Sequence, residues 1–268
     1  MNKVNKSGSQ DINIEDSRAP LISHLIELRD RLKWAVLFFF VSFCFCYYFA
    51  TDIYKFLVAP LYDIYIEKGI ENPRMIYTAL TEAFFTFLKV SFYGALFISF
   101  PIIALQIYKF AAPGLYKEEK KAFLPFLIST PVLFCSGAAL VYYLILPMAW
   151  QFFIGFEMPA TDDSLAIELE PKVNEYLSLV LLLMFAFGLG FQLPVLLILL
   201  AKVGIITADG LAEKRRYAIV GVFIFAAIIT PPDVISQVML ATPIIILYEI
   251  SIIAIIVLPT ANPDPLSV

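Results

Sequence analysis

The charged octet His24-Leu25-Ile26-Glu27-Leu28-Arg29-Asp30-Arg31 is followed, after Leu32 and Lys33, by an uncharged run from Trp34 to Thr51. A run of this length and apolarity is typical of a helix that crosses a membrane. Acidic and basic side chains at its entrance cannot enter the hydrocarbon, so they must lie in the headgroup region and face water, protein or a charged ligand. The octet is therefore where the sequence predicts a functional site.

The composition of the whole chain agrees with a membrane location. Of 268 residues, 60% are hydrophobic, and the mean hydropathy is +0.83, which leaves too little polar surface to cover a water-soluble fold. The formal net charge is −4, so the chain has no global positive field that would attract nucleic acid.

Scanning for apolar stretches of about 20 residues predicts six transmembrane helices. They are residues 34–50, 84–108, 122–146, 176–201, 216–231 and 236–257. Continuous apolarity without alternation excludes the pattern of a transmembrane barrel, so we expect an all-α membrane protein. The last two spans are short, because their uncharged stretches cover only residues 217–232 and 234–248. We expect a single membrane domain over residues 19–258, a disordered cytosolic tail at 1–18 and a second cytosolic tail at 259–268.

The basic residues predict the orientation. Fourteen of the 19 lie in the segments that an even number of spans places on one side: Lys3, Lys6, Arg18, Arg29, Arg31, Lys33, Lys109, Lys117, Lys120, Lys121, Lys202, Lys214, Arg215 and Arg216. By the positive-inside rule this side, with both termini, is cytosolic.

The two longer outer loops, 51–83 and 147–175, are expected to carry an aromatic belt at the membrane interface. Its members are Tyr47, Tyr48, Tyr54, Tyr62, Tyr65, Trp150 and Phe152. Prolines inside the spans, among them Pro101 and Pro194, predict bent helices and a curved bundle.

Several kinds of chemistry lack the residues that they need. His24 is the single histidine, and no Gly-rich loop is followed by Lys-Ser or Lys-Thr, which excludes a paired-histidine zinc helix and a P-loop motor. All three cysteines lie in apolar runs, and the spans contain no pair of acids for intramembrane hydrolysis. We therefore expect neither an enzyme nor a metal or cofactor site.

On a helix, the octet separates into two faces. Leu21, Leu25, Leu28 and Leu32 form an apolar stripe, and His24, Glu27 and Arg31 share another face. This pattern predicts an interfacial amphipathic helix that leads into the first span. The alternative is that Glu27 only pairs with Arg31 at i+4 and that the basic residues only set the topology.

Three other polar groups invite a functional reading, each with a structural alternative. Glu118 and Glu119 follow the turn Pro113-Gly114, where a helix start alone would favour acids. Asp233 follows Thr230-Pro231-Pro232 and precedes Gln237 by one turn, so it can act as a helix cap. Gln192 and Glu249 lie within spans and predict either packing between helices or contact with a helix of another protein.

Taken together, these motifs resemble the TatC family, the multispanning receptor of the twin-arginine protein translocase. The resemblance rests on the octet, on Phe110 through Pro113 with Leu115-Tyr116-Lys117 and Glu119, and on Thr230-Pro231-Pro232-Asp233. It covers the chain from about Pro20 to about Leu258.

The resemblance implies a glove-shaped bundle in the bacterial inner membrane, although an organellar membrane stays open. Such a protein binds the twin-arginine signal peptides of folded cargo, assembles with TatA- and TatB-type single-span proteins and with further copies of itself, and uses the proton-motive force. The implied signal-peptide site comprises Glu27, Leu28, Arg29, Phe110 and Glu119. The implied assembly or outer structural positions are Pro60, Gln192, Asp233 and Gln237; some relatives place a glutamate at the Gln192 position.

Two other classes of function stay open at this stage. Mid-span polar residues and broken helices also occur in secondary transporters of small solutes, although the strongest charged group here lies at the membrane surface. An assembly scaffold without a peptide site is the third class, and partner binding without signal-peptide binding would distinguish it.

Overall fold

The computed structural model describes residues 14–70, 73–111, 124–158, 165–229 and 234–257. The structure over these residues is helical, with two isolated β-bridges that join loops, Ile76 to Lys172 and Met158 to Ile167. The helices are α1 (Ile14–Tyr48), α2 (Ala50–Glu67), α3 (Glu82–Ala111), α4 (Leu124–Leu140), a π-helical segment (Val141–Ile145), α5 (Leu146–Ile154), α6 (Val173–Gly190), α7 (Leu193–Lys202), α8 (Ala208–Glu213), α9 (Arg215–Ile229) and α10 (Val234–Val257).

Five helical stretches in the described part of the chain are long and apolar enough to cross a membrane. They are Leu25–Tyr48, Glu82–Tyr108, Phe126–Ile154, Val173–Lys202 and Gln237–Val257. The fifth predicted span, 216–231, corresponds to α9, which has 15 residues, is as short as the sequence predicts and is too short to count among these five. The last span is longer than its uncharged part, because α10 continues through Glu249 to Val257.

The first span and the octet form one continuous helix. The 35 residues of α1 include the octet without a break, so the expected interfacial helix and the first span are a single element. α1 packs on α3, and both helices bury small residues: Ser42 and Cys46 on α1, Ser91, Ala95 and Ser99 on α3. A Cβ atom at Gly94 of α3 would lie 3.1 Å from Sγ of Cys46. Small residues thus allow the two backbones to approach closely.

Prolines interrupt the third and fourth spans. Pro147 lacks a backbone N–H, and just before it the chain adopts a π-helical turn in which the Leu146 N–H donates to the Val141 carbonyl. In the fourth span, α6 ends at Gly190 and α7 begins at Leu193, directly before Pro194. The breaks agree with the bent helices that the sequence predicts.

The predicted outer loop 51–83 contains a helix that we did not expect. α2 buries Leu57, Leu61 and Ile64 against the bundle, at the three- and four-residue spacing of an amphipathic helix. Two members of the predicted aromatic belt lie in the core instead of at the interface: Tyr65 is 4% exposed and Trp150 is 7% exposed. Tyr65 lies on the buried face of α2 and Trp150 on the buried face of α5, so neither forms part of an aromatic belt.

The bundle has two different ends. We call α2 together with residues 73–81 and 165–172 the cap; the loops of the cap are joined by the Val173 N–H donating to the Ile76 carbonyl at 2.9 Å. α3 begins at the cap, and its residue Tyr108 lies about 39 Å further along the helix. There the Tyr108 hydroxyl is 2.8 Å from the Thr130 hydroxyl of α4. We call this second end the distal end.

Candidate functional site

The charged side chains of the octet pair with one another along α1. Glu27 accepts hydrogen bonds from the Arg31 guanidinium, with Nε at 3.1 Å from Oε1, as the structural alternative predicted. Arg29 and Lys33 both contact Asp30, at 3.1 and 3.3 Å. The Glu27 side chain is 35% exposed, so a guanidinium outside the helix can reach the region of this carboxylate.

Apolar side chains beside these charges remain uncovered. Leu25, Leu28 and Leu32 are 63%, 40% and 58% exposed. Arg31 lies 17 residues before Tyr48, which places the octet about 25 Å along α1 from the junction with the cap. The octet therefore offers carboxylate, guanidinium and leucine groups on one rigid helix, a combination that suits an extended peptide with basic and apolar residues.

The other predicted signal-peptide residues lie on a different element. Phe110 is the penultimate residue of α3, at the distal end, with a half-buried side chain. Glu119 lies outside the described residues, as does Asp233. Glu27, Leu28 and Arg29 lie together on one turn of α1, and their pairing with Glu119 stays a prediction.

Gln192 lies at the break between α6 and α7. Its Nε2 donates to the Thr130 carbonyl at 3.0 Å, and more weakly to the Gly188 carbonyl at 3.4 Å. This bond ties the break to α4, which agrees with the predicted packing role. Oε1 of the same amide is buried and has no hydrogen-bond partner in the described structure. A buried acceptor without a donor is costly, so the amide is not fully satisfied by the bonds to Thr130 and Gly188.

An apolar groove opens beside Gln192 between α7, α9 and α10. Its volume is about 440 Å³. Its walls are formed by Leu193, Leu196 and Leu197 of α7, Ala218, Gly221, Val222 and Phe225 of α9, and Ile244 and Tyr248 of α10. Gly221 has nothing within 4 Å of its Cβ position, which leaves the α9 wall open. We call this cavity the α7–α9–α10 groove.

Polar contacts fix the walls of the groove. Gln237 donates from Nε2 to the Phe223 carbonyl at 3.0 Å and so joins α10 to α9. At the distal end, Nε of Arg215 lies 2.8 Å from Oε1 of Glu249, and the neighbouring Tyr248 hydroxyl donates to the Leu211 carbonyl at 2.8 Å. Glu249, which the sequence placed inside a span, is thus 40% exposed and paired with a cation.

Pro60 lies in the cap, far from the groove. It interrupts the hydrogen-bond ladder of α2, and the Phe56 carbonyl, four residues earlier, accepts a hydrogen bond from the Tyr142 hydroxyl at 2.8 Å. The predicted structural role of Pro60 is therefore consistent with its environment, whereas an assembly role stays a prediction.

The Arg74, Glu170 and Tyr65 side chains of the cap are bonded within the chain. Arg74 pairs with Glu170, and this carboxylate raises the pKa of the guanidinium above its ordinary value. The Tyr65 hydroxyl donates to the Leu169 carbonyl at 3.2 Å. Burial, and secondarily the charge of Glu157, raises the pKa of Tyr65. These groups hold the loops of the cap together.

Two polar contacts were missed by the sequence reasoning. Lys89 of α3 donates from Nζ to Oδ1 of Asn174 and to Oγ of Ser178, both at 2.7 Å, and links α3 to α6. The pair Arg215–Glu249 had a sequence signal, because the two residues lie 16 and 17 positions from the Pro231-Pro232 corner. Two antiparallel helices on either side of these prolines would place the two residues at the same height along the bundle. Lys89 offered no comparable signal, since its partners are neutral.

Apolar spans broken by prolines and joined by hydrogen bonds between helices define a multi-pass α-helical membrane protein. The family model described as "Sec-independent protein translocase protein (TatC)" matches residues 23–243. The chain therefore belongs to the TatC family. It is a multispanning core subunit of the twin-arginine translocase, a membrane transport system.

Curated relatives and solved structures agree with this assignment. Proteins named "Sec-independent protein translocase protein TatC" from Magnetococcus marinus, Rickettsia prowazekii and Escherichia coli K12 are 50%, 46% and 38% identical, over 88%, 86% and 90% of this chain and 84%, 90% and 89% of their own length. Two crystal structures titled as the twin-arginine translocase receptor TatC, one of them in DDM, are each 38% identical. Their TM-scores are 0.72 and 0.74, over 87% and 86% of this chain and 97% and 98% of theirs.

Proposed function

We propose that this chain is the receptor that binds twin-arginine signal peptides of folded precursor proteins, with Glu27, Leu28, Arg29, Phe110 and Glu119 as the binding residues. The observation that supports this most is the bond between Glu27 and the Arg31 guanidinium, because it displays the interaction that an incoming signal arginine would form. The exposed leucines beside Glu27 offer a surface for the apolar part of a signal.

Two carboxylates are the physical requirement for such a site. A guanidinium is planar and donates two parallel hydrogen bonds to a carboxylate, whereas a lysine ammonium acts as a point charge. One acid for each of two arginines therefore gives selectivity for the pair, and Glu27 and Glu119 supply them. In this proposal, the side that carries the octet and the basic segments is cytosolic, both termini included, and the membrane is the bacterial inner membrane.

Photo-cross-linking tests this site. A twin-arginine precursor that carries a photoreactive residue beside the arginine pair is expected to cross-link to the native protein, and Glu119→Ala and Glu27→Gln are each expected to remove most of the product. Glu213→Gln is the matched control, because it removes an exposed carboxylate elsewhere. The proposal is supported if the cross-linked product is lost in both site variants and is retained in the control. Unchanged cross-linking in either variant would remove that residue from the site.

We propose further that the α7–α9–α10 groove receives the membrane helix of a TatA- or TatB-type partner. Its apolar walls suit a helix in lipid, and Gln192 lines it with an amide whose buried Oε1 has no partner in the described part of the chain. Rotation of this side chain towards the groove would let the amide bond a polar group of that helix. The complex would contain several copies of this chain and use the proton-motive force to export folded cargo, with Pro60, Asp233 and Gln237 supporting assembly.

Filling the groove tests partner binding. Leu196 lines the groove and is 56% exposed, so Leu196→Trp is expected to reduce co-purification of the partner by about tenfold. Leu182→Trp is the control, because Leu182 is 39% exposed on α6 and does not line the groove. Equal co-purification of both variants would show that the partner binds elsewhere.

A further inference from the structure

The cap is attached to the bundle by a feature that neither the signal-peptide site nor the groove explains. Pro60 lies inside α2 and cannot donate to the Phe56 carbonyl, which is the acceptor four residues earlier. A carbonyl that lacks its helical donor needs another partner. The Tyr142 hydroxyl, from the π-helical segment, provides it at 2.8 Å.

A second tyrosine binds the next carbonyl of α2. The Tyr176 hydroxyl of α6 donates to the Leu57 carbonyl at 3.0 Å. Both tyrosines are buried, at 8% and 5% exposure, so their hydroxyls have no bulk water as an alternative. Two successive carbonyls of one helix are thus bonded to hydroxyls from two different elements of the bundle.

The position of Tyr142 depends on another proline. Pro147 follows the π-helical turn Val141–Ile145, in which Val141, Tyr142 and Ile145 are all buried. A π-turn inserts a residue into the helical register and rotates the following side chains, and such turns frequently occur at functional sites. The Tyr142 ring also stacks on Phe56, with centroids 4.4 Å apart and an interplanar angle of 4°. The hydroxyl and the ring therefore hold α2 at the same residue.

We propose that Tyr142 and Tyr176 are positioning residues that form a latch on two successive carbonyls of α2, and that this latch fixes α2 against the bundle. Tyr142 binds the Phe56 carbonyl that Pro60 leaves without its helical donor, and Tyr176 binds the Leu57 carbonyl beside it. The latch acts through hydroxyl donors, so it can be removed without changing the packing of the aromatic rings. It concerns the cap alone and does not rest on signal-peptide binding.

Hydrogen exchange of the full chain in lipid nanodiscs tests the latch. Tyr142→Phe and Tyr176→Phe are each expected to speed amide exchange in peptides from residues 61–67 by about three- to tenfold, the loss of one hydrogen bond. Tyr143→Phe is the matched control, because the neighbouring Tyr143 is 73% exposed, and it should leave this exchange unchanged.

A double-variant comparison separates the latch from general packing. In Pro60→Ala, residue 60 regains an N–H that can donate to the Phe56 carbonyl, so adding Tyr142→Phe should change the exchange by less than about twofold. An equal effect of Tyr142→Phe in both backgrounds would overturn the link to Pro60. If Pro60→Ala does not fold, the single variants decide: exchange in Tyr142→Phe and Tyr176→Phe no faster than in Tyr143→Phe would refute the latch.

Discussion

The cap and the α7–α9–α10 groove use polar groups in opposite ways. In the cap, the Tyr65 hydroxyl bonds to the Leu169 carbonyl and the Arg74 guanidinium pairs with Glu170, so both groups bond within the chain. Beside the groove, the Gln192 amide bonds at one end only and leaves Oε1 unpartnered next to an apolar cavity. We assign the cap to maintaining the shape of the bundle and propose the groove as the partner site on the basis of this difference.

The largest effect on stability is expected from Lys89, which anchors α3 to α6 beside the cap. Lys89→Met removes two short hydrogen bonds from a charged donor and should lower the free energy of unfolding by about 2–3 kcal/mol. Thermal unfolding in detergent measures this loss. Lys55→Met is the control, because its pair with Asp52 is exposed and should contribute less than about 1 kcal/mol. Equal melting temperatures for the two variants would contradict a structural role for Lys89.

Gln192→Leu should affect assembly with a partner much more than the stability of the chain. The substitution removes the bond to Thr130 and also the unpartnered acceptor, so the stability of the isolated chain should change by less than about 1 kcal/mol. Assembly with a single-span partner should fall by about tenfold, because a hydrogen bond between helices is lost. Co-purification of the partner measures assembly, and thermal unfolding measures stability. Gln151→Leu is the control, because Gln151 carries an exposed amide on α5. Normal assembly of Gln192→Leu would show that the amide is not needed.

A smaller effect is expected at Arg215 and Glu249, which join α9 to α10 at the distal end. Glu249→Arg alone places two cations together and should destabilise the chain by about 1 kcal/mol, since both side chains are partly exposed. Combining it with Arg215→Glu should recover most of that loss. If the exchanged pair is no more stable than the single variant, the two charges do not interact in the membrane.

The smallest effect is a dependence on alkaline pH at Tyr65. Its pKa is raised in the folded state by burial and by Glu157, so the unfolded chain releases the phenolic proton at lower pH. The stability that the neutral phenol contributes is complete below about pH 10, the ordinary pKa of tyrosine, and is lost as the pH rises through the folded-state value. Tyr65→Phe should lose less stability than the native chain over this range. Parallel pH profiles would contradict the effect.

The sequence predicted the spans well, but it predicted less of the cap and of the break at Gln192. The spans were predictable, because their apolar runs are long and continuous. α2 was missed, because Asp52, Lys55, Asp63 and Glu67 interrupt its apolar residues, and only the spacing of Leu57, Leu61 and Ile64 indicated a helix. The break at Gln192 was visible through Pro194, but its bond to Thr130 joins residues 62 positions apart, which no local pattern shows.

The candidate signal-peptide residues were identified through resemblance, not spacing. Spacing alone favoured the pair Glu27–Arg31, and the structure contains that pair. A carboxylate that serves the fold and one that serves a ligand have the same sequence pattern, so only a binding measurement separates them. The groove, in contrast, depends on three helices that meet in space and could not be read from any one of them.

The most direct test of the account is the affinity of the purified protein, in nanodiscs, for a signal peptide with two arginines and for the same peptide with two lysines. Charge is equal in the two peptides, and only the planar donor geometry differs. The account predicts binding of the arginine peptide at least about tenfold tighter, with Glu119→Ala removing the difference. Equal affinities for the two peptides would contradict the claim that carboxylates of this chain recognise a guanidinium pair.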